Sequence, residues 1–441
     1  MYNAYVTKLK NVRPHSNADR MLLADCFGNT ICVGLDAKNG DIGVYFPTDG
    51  QLSVEYAEKN NLVRKKDENG KNIGGYLDPD KRNITAIKLR GEKSDGLFMP
   101  LESLEYTGVD ISTLTEGTVI NVVNGHEICC KYIPRQKTRS NNGGGKVNKT
   151  RKKKINIAPL FVEHADTEQL AYNLNAFKAG DLVEVTLKLH GTSGRTGLLP
   201  VLKGYKKTLI DRLLRRDGKP IYDWDYIDGT RRVVLENYDG GYYGDNSFRK
   251  QHGDKFRGKL YKGEEVFYEI VGFTDSGAPI MGTVDNKKTQ DKDFIKKYGK
   301  TTTFSYGCEP PNSELYVYRM TMTNEDGHIV EYSPDYMRYR CEQMGVKYVP
   351  VFWRGFLEEP DDWTGEDWSA GEYAKMLAEK YYDGEDPVGK THVREGVVIR
   401  IINRPKFTAF KSKNFSFKVL EGIAKVNADA PDMEEAQENV E

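Results

Sequence analysis

Cysteine is scarce in this chain. Six are spread over 441 residues, at Cys26, Cys32, Cys129, Cys130, Cys308 and Cys341, and no CxxC pair occurs. That usage speaks against a disulfide-stapled secreted scaffold and suits a reducing cytoplasm. The seven histidines are scattered and form no HExxH, so no dedicated zinc site is expected. No apolar run approaches the ~20 residues of a membrane span. The opening "MYNAYVTKLKNVRPHSNADR" is charged and lacks the apolar stretch of a signal peptide. Net charge is also lacking, because 65 basic residues balance 65 acidic ones. Bulk charge therefore gives no argument for a nucleic-acid partner.

The distribution of charge says more. Residues 135–154 hold nine basic residues and no acidic one, among them Arg151, Lys152, Lys153 and Lys154. Residues 427–441 hold six acidic residues and no basic one. A cationic stretch attracts phosphates, whereas an acidic tail serves solubility. The length suits two or three domains.

Short β-like runs with Gly, Asp and Asn turns fill the first 134 residues: "NTICVGLDA", "DIGVYFP", "GLFMPL" and "TVINVVN". They predict a small barrel or sandwich. "RQKTRSNNGGGKVNKTRKKK" has almost no apolar residue and reads as a flexible basic linker, 135–154. Beyond it, "DLVEVTLKLH", "EVFYEIVGF", "ELYVYRMT" and "EGVVIRII" read as strands, and "TLIDRLLRR" and "GEYAKMLAEKYY" as helices. The mixture predicts an α+β domain on antiparallel sheets over 155–426, followed by an acidic disordered tail, 427–441.

Within "VEVTLKLHGTSG", Val183, Val185, Leu187 and Leu189 share one face of a strand, and Glu184, Thr186 and Lys188 the other. Lys188 precedes a turn at Gly191 and Gly194, where the backbone can approach a ligand closely. By itself this is as well explained by a solvated charge at a strand end. A nucleophilic lysine must be uncharged near neutral pH although its solution pKa is ~10.4, so burial, neighbouring cations or a metal must assist.

The residues downstream match that need. Arg231 and Arg232 sit on a turn in "DGTRRVVLEN", where a planar guanidinium can hold a ribose or phosphate. Glu269 lies mid-strand beside Phe267 and Val271, and a carboxylate among apolar residues needs a partner. Tyr316 and Tyr318 share a strand face suited to stacking an adenine, or else are two core tyrosines. Glu395 precedes a glycine in "REGVVIRII". Lys411 and Lys413 of "FKSK" are two apart, so in a strand both point toward one site.

As an ordered set, these segments resemble the covalent nucleotidyltransferases: RNA ligases, DNA ligases and mRNA capping enzymes. "KLHGTS" is similar to their nucleotidyl-lysine motif, "FYEIVG" to the third motif, "LYVYRMT" to the next, "EGVVIR" to the fourth and "FKSK" to the fifth. His190 after the nucleophile resembles the RNA ligases, whereas the other two classes more often place Asp there. The N-terminal segment is similar to an OB-like module preceding the ligase domain. That order resembles the nick-sealing branch typified by the Deinococcus enzyme and found also in phages. DNA ligases and capping enzymes carry their OB domain after the fifth motif, and this chain ends too soon for one. Two positions depart from the pattern: Arg400 stands where the fourth motif usually ends in Lys, and Tyr268 where Gly usually precedes the third-motif Glu.

The resemblance implies an ATP-dependent RNA ligase, bacterial or phage-encoded, acting as a cytoplasmic monomer with Mg²⁺ or Mn²⁺. Lys188 would carry AMP. His190, Gly191, Arg231, Glu269, Tyr316, Tyr318, Glu395, Lys411 and Lys413 would bind the nucleotide, and Glu269 and Glu395 the metal. His190 would position a group rather than act as a base. The basic residues 151–154 and the OB-like module would grip a nicked duplex or RNA ends. The competing readings are a DNA ligase, a GTP-using capping enzyme, and a non-catalytic nucleic-acid-binding protein.

Overall fold

The structure, a computed structural model, describes residues 2–65, 68, 74–132, 157–164, 167–213, 218–235, 243, 246–361, 368–421 and 424–426. The basic segment 135–154 and the tail 427–441 lie outside the described residues. The chain divides into two compact units. One holds the described parts of 1–143, 286–294 and 418–441, the other those of 144–285 and 295–417. Among the described residues no helix is long and apolar enough to cross a membrane, and all six cysteines are free thiols.

In the first unit every expected strand forms. Ala4–Lys8 pairs with Ile42–Phe46, which pairs with Leu97–Pro100, all antiparallel, and Val119–Ile120 adds on the other side of Ala4–Lys8. Ala4, Val6, Val44, Phe46, Leu52, Tyr56 and Ile120 fill the core beneath them. Lys10–Pro14, Leu22–Cys26 and Asn29–Val33 form a separate meander. The described strands thus form several short open sheets, not the closed barrel expected from the sequence. The strand Ala424–Val426 pairs in parallel with Ala86–Leu89, so the chain returns to this unit after the second unit is complete. The expected second domain, 155–426, therefore differs from the second unit at 286–294 and from 418 on, the strand 424–426 included. Three residues carry no signal of which sheet will take them.

Strands of the second unit are numbered here in chain order: β1 Leu182–Lys188, β2 Thr192–Lys206, β3 Lys219–Gly229, β4 Glu264–Gly272, β5 Ser313–Thr323, β6 Ile329–Glu331, β7 Val351–Phe356, β8 Gly396–Ile401 and β9 Thr408–Lys413. They build two sheets. The first runs β9-β8-β1-β7, with the short Glu168–Gln169 strand at its β9 edge. The second runs β3-β2-β4-β5-β6. Only the loop 189–191 separates β1 in one sheet from β2 in the other, so Lys188 sits where the chain changes sheets.

Alternation decides which side of each sheet is core. Val183, Val185, Val397, Ile399 and Ile401 turn to one face and are covered by the helix Ala370–Tyr382 through Ala374, Leu377 and Ala378. Each such aliphatic contributes roughly 1.5–3 kcal/mol on burial. The helix starts at Ser369, whose hydroxyl caps the Glu372 N–H. In the second sheet, Val266, Tyr268, Ile270, Leu315 and Val317 pack under the helix Pro334–Met344 through Met337, Cys341 and Met344. Ser333 caps this helix, proline opens it, and Gly345 closes it in the left-handed region. The sequence reading missed it despite these end signals, because its interior is polar and aromatic rather than regularly apolar. The opposite face of the first sheet carries Glu184, Thr186 and Lys188 of β1.

Candidate functional site

The register of the first sheet aligns three positions. Lys188 pairs with Gly396, and Gly396 with Lys413. Side chains opposite one another across an antiparallel pair point the same way, so Lys188 and Lys413 leave the same face of the sheet. Between them only glycine fits: φ of Gly396 is +153°, and a Cβ there would lie 2.0 Å from the Ser412 carbonyl oxygen. Glu395, the residue before it, is buried at 1% exposure. Its Oε1 receives Lys188 Nζ at 2.7 Å and Lys413 Nζ at 3.2 Å. Lys411 lies two residues earlier on β9, opposite Val398 and half-buried, on the same face as Lys413.

Burial pushes the Glu395 carboxyl upward, but Lys188, Lys413 and His190 outweigh it and hold the group at about 2. It is a fixed anion between cations. Its second oxygen, Oε2, is buried without a hydrogen-bond partner among the described residues, with His190 Nδ1 at 3.9 Å. A buried carboxylate oxygen left this way suits a cation.

Glu269 lies across from this group on β4. It accepts the Gly191 N–H through Oε1 at 3.1 Å and the Ser193 hydroxyl through Oε2 at 3.2 Å. Burial raises it to about 7, against the lowering effect of Lys188. Gly191 must approach β4 closely, since a Cβ would come within 2.2 Å of the Ile270 carbonyl oxygen. The loop after Lys188 is thus tied to the second sheet by backbone and side chain together. Arg249 adds a further tie, donating to the Ser193 carbonyl at 2.7 Å and to the Thr192 hydroxyl.

His190 is packed. Its ring stands edge-on to Phe304 and Phe417, each at 4.8 Å, and its backbone N–H donates to the Tyr306 hydroxyl oxygen at 2.7 Å. Burial lowers the imidazole to about 4, so it is neutral at pH 7. It is wedged between the two rings, at the start of the loop that follows Lys188.

The two tyrosines part company. Tyr318 hydrogen-bonds with Ser193 and lies within the electrostatic reach of Glu269 and Arg231, with His164 edge-on to its ring at 5.1 Å. Tyr316 pairs in register with Glu269 but has Lys347 Nζ 5.8 Å from its ring and Glu314 and Cys308 nearby. Arg231 sits on the turn between β3 and the short strand Val234–Leu235. That turn is anchored by buried Arg195, which donates to the Thr230 carbonyl at 2.8 Å and to the Phe161 carbonyl at 3.1 Å.

Arg400, in the usual lysine position, is turned to structure. It donates to the Tyr332 carbonyl at 3.2 Å, lies 3.7 Å from Glu331 and stacks over Phe407 at 4.8 Å. Tyr268, in place of the usual glycine, is a core ring tilted against Phe256 at 5.3 Å, and the Tyr268 hydroxyl meets that of Thr196 at 3.0 Å. It points away from Glu269, on the opposite face of β4. The structure therefore joins Lys188, His190, Gly191, Glu269, Tyr318, Glu395 and Lys413 in one site, with Arg231 at its border. Arg151, Lys152, Lys153 and Lys154 lie outside the described residues. Sequence reasoning missed Ser193, Arg249 and Tyr306. Ser193 was within reach, inside the "KLHGTS" stretch. Arg249 and Tyr306 arrive from segments without any motif.

A scan against protein families finds no match to this chain, and a search of curated proteins finds none. Among solved structures the chain is similar to a Naegleria gruberi RNA ligase. The form solved with PPi aligns at a TM-score of 0.55 and 17% identity, over 94% of this chain and 97% of that one. A variant solved with ATP and Mn gives 0.54 and 17%, over 96% and 98%. Another, with AMP and Mn, gives 0.55 and 17%, over 95% and 98%. At this identity the likeness is one of fold.

Proposed function

We propose that this chain is an ATP-dependent RNA ligase that seals a 3′-OH to a 5′-phosphate. The observation that carries this reading is the convergence of Lys188 and Lys413 on one buried oxygen of Glu395, 2.7 and 3.2 Å away. A solvated strand-end lysine has no use for a buried anion and a second ammonium group. The similarity in fold to an RNA ligase solved with ATP, AMP and PPi supports the same assignment.

In this reading Lys188 Nζ, as the free amine, attacks the α-phosphorus of ATP. A P–N bond forms, the α–β P–O bond breaks, and pyrophosphate leaves. Lys413 and Lys411 balance the charge that develops on the phosphoryl oxygens. Glu269 and Arg231 hold the ribose, and Tyr318 stacks on the adenine. AMP then passes to the 5′-phosphate of a nucleic acid, and a 3′-OH displaces it to close the break. Beyond the lysine, the protein contributes position and charge. The free oxygen of Glu395 and the Glu269 carboxylate fit a divalent cation, which when bound would supply electrostatic stabilisation of the phosphates.

The finer reading is a nick sealer of the Deinococcus type, working as a cytoplasmic monomer with RNA on the 3′-OH side. The N-terminal unit would serve as an OB-like module that grips the duplex together with Arg151, Lys152, Lys153 and Lys154. The test is incubation with α-labelled ATP and Mg²⁺. Acid-stable label on the wild type and none on Lys188→Ala is expected; label on Lys188→Ala sinks the proposal. GTP in place of ATP, and DNA in place of RNA at the 3′-OH, test the capping-enzyme and DNA-ligase readings.

A further inference from the structure

The hairpin β2–β3 extends beyond the sheet it belongs to. β4 pairs with β2 only from Thr192 to Gly197. Pairing with β3 continues much further, from Arg195↔Gly229 to Lys206↔Lys219. From Leu198 outward the hairpin pairs with no third strand; its other face packs Leu199 and Val201 against Ile157, Ala158 and Phe161, support that a bare two-stranded ribbon would lack.

Its two faces differ. Alternation along "YDWDY" sends Tyr222, Trp224 and Tyr226 to one side and Asp223 and Asp225 to the other. Leu198, Pro200 and Leu202 lie opposite the three rings, so one face is continuously apolar and aromatic. Inboard, Asp228 continues this face and is paired with Arg257, and two cations sit over the rings. Arg257 lies over Tyr226 at 4.8 Å and Lys262 Nζ over Trp224 at 5.6 Å. Exposed Lys206, Lys207 and Lys219 follow toward the tip. On the acidic side, Asp225 pairs with Lys203. The innermost ring is structural, since the Tyr226 hydroxyl accepts the Gly258 N–H at 2.6 Å. Tyr222, by contrast, is 39% exposed, and Trp224 is half-buried.

We propose that Tyr222 and Trp224 form a stacking platform for a single-stranded RNA segment, with Lys262 and the tip lysines drawing its phosphates. Rings two residues apart on a strand are ~7 Å from one another, a spacing that unstacked bases can match. Aromatic faces flanked by cations are the chemistry of sequence-independent single-strand binding. Around Tyr222 and Trp224 the strand's carboxylates, Asp223 and Asp225, lie on the other face, which leaves this outer part complementary to a polyanion. The ribbon also continues directly from the site. Pro200, opposite Trp224, is seven residues beyond Ser193, or ~23 Å at ~3.3 Å per residue. That is about seven nucleotides of a stacked strand at ~3.4 Å each. The platform would hold the RNA roughly that far from the reacting ends. This inference rests on the reading of the Lys188 site as one that joins RNA.

The experiment measures binding of a labelled 20-nucleotide single-stranded RNA by fluorescence anisotropy, alongside labelling by α-labelled ATP. Tyr222→Ala with Trp224→Ala should weaken RNA binding by about tenfold or more and leave lysyl–AMP formation unchanged. Trp224→Phe, which keeps a ring and the fold, should bind within a few-fold of wild type. It should also lose the tryptophan quenching that RNA produces in the wild type. Equal affinity of wild type and the double variant overturns the platform. So does quenching that persists in Trp224→Phe, or a wild type that does not bind the RNA. A wild type that binds RNA through Trp224 but takes no label from ATP would refute the ligase reading and leave the platform standing.

Discussion

Lys188 Nζ lies 2.7 Å from Oε1 of Glu395, a carboxylate 1% exposed that is joined to Lys188 only by strand pairing across more than two hundred residues. The proposed nucleotidyl transfer turns on that contact.

Replacing Lys188 by Ala, or by Arg, should abolish acid-stable labelling. The fold should survive, because Glu395 retains Lys413 at 3.2 Å. Thermal melting within a few degrees of wild type, together with loss of label, is the expected result.

Glu395→Gln should remove labelling and also cost stability, on the order of 3 kcal/mol, because it leaves two ammonium groups facing each other in a largely buried site. Lys188 and Lys413 hold this carboxyl below its ordinary 4.5, at about 2. A depressed group contributes stability that is present above 4.5 and lost as pH falls toward 2. Urea unfolding of wild type and variant should therefore converge in that window. Parallel curves would contradict the ion triad.

Glu269 has the opposite sign. Burial raises it from 4.5 to about 7. Between these values the unfolded chain releases a proton that the folded protein keeps. Its contribution to stability should therefore fall as pH rises from 4.5 to 7 and level off above. The stability difference between wild type and Glu269→Gln should fall by on the order of 2–3 kcal/mol across that range. A difference that stays flat would mean Glu269 is solvated or differently paired.

Tyr318→Ala should raise KM for ATP by tenfold or more, with kcat less affected, whereas Tyr318→Phe should cost little. Tyr316→Ala is the control, since Tyr316 lies with Lys347 and Glu314. The reverse ranking in a steady-state adenylylation assay would move the adenine to Tyr316.

Gly396→Ala should be severe for a single methyl group. Its Cβ would lie 2.0 Å from Ser412 O on the neighbouring strand, and separating β8 from β9 would carry Lys413 away from Glu395. Loss of labelling by a hundredfold or more, with a lowered melting temperature, is expected.

The strands were legible because β-branched and aromatic runs with period two can bury one face in few other ways. Val183, Val185 and Leu187 against Glu184, Thr186 and Lys188 is the clearest instance. The helix Ala370–Tyr382 was legible from its apolar spacing, whereas Pro334–Met344 was not. Its buried stripe is Met337, Cys341 and Met344, set among Tyr and Arg. The closed barrel expected of the N-terminal unit did not form among the described residues, since strand patterns say which face is buried but not which edges meet.

Local sequence determined the chemistry on offer: a lysine at a strand end before a glycine turn, two carboxylates in apolar strands, and a pair of lysines two apart. Tertiary structure decided how they are used. Register brought Lys413 rather than Lys411 onto Glu395, because only position 413 pairs with Gly396 beside Lys188. Burial made His190 a neutral wedge between Phe304 and Phe417, and packing assigned Arg400 to Glu331. Those outcomes depend on desolvation and on distances between strands far apart in the chain, and neither is written in any short stretch of residues.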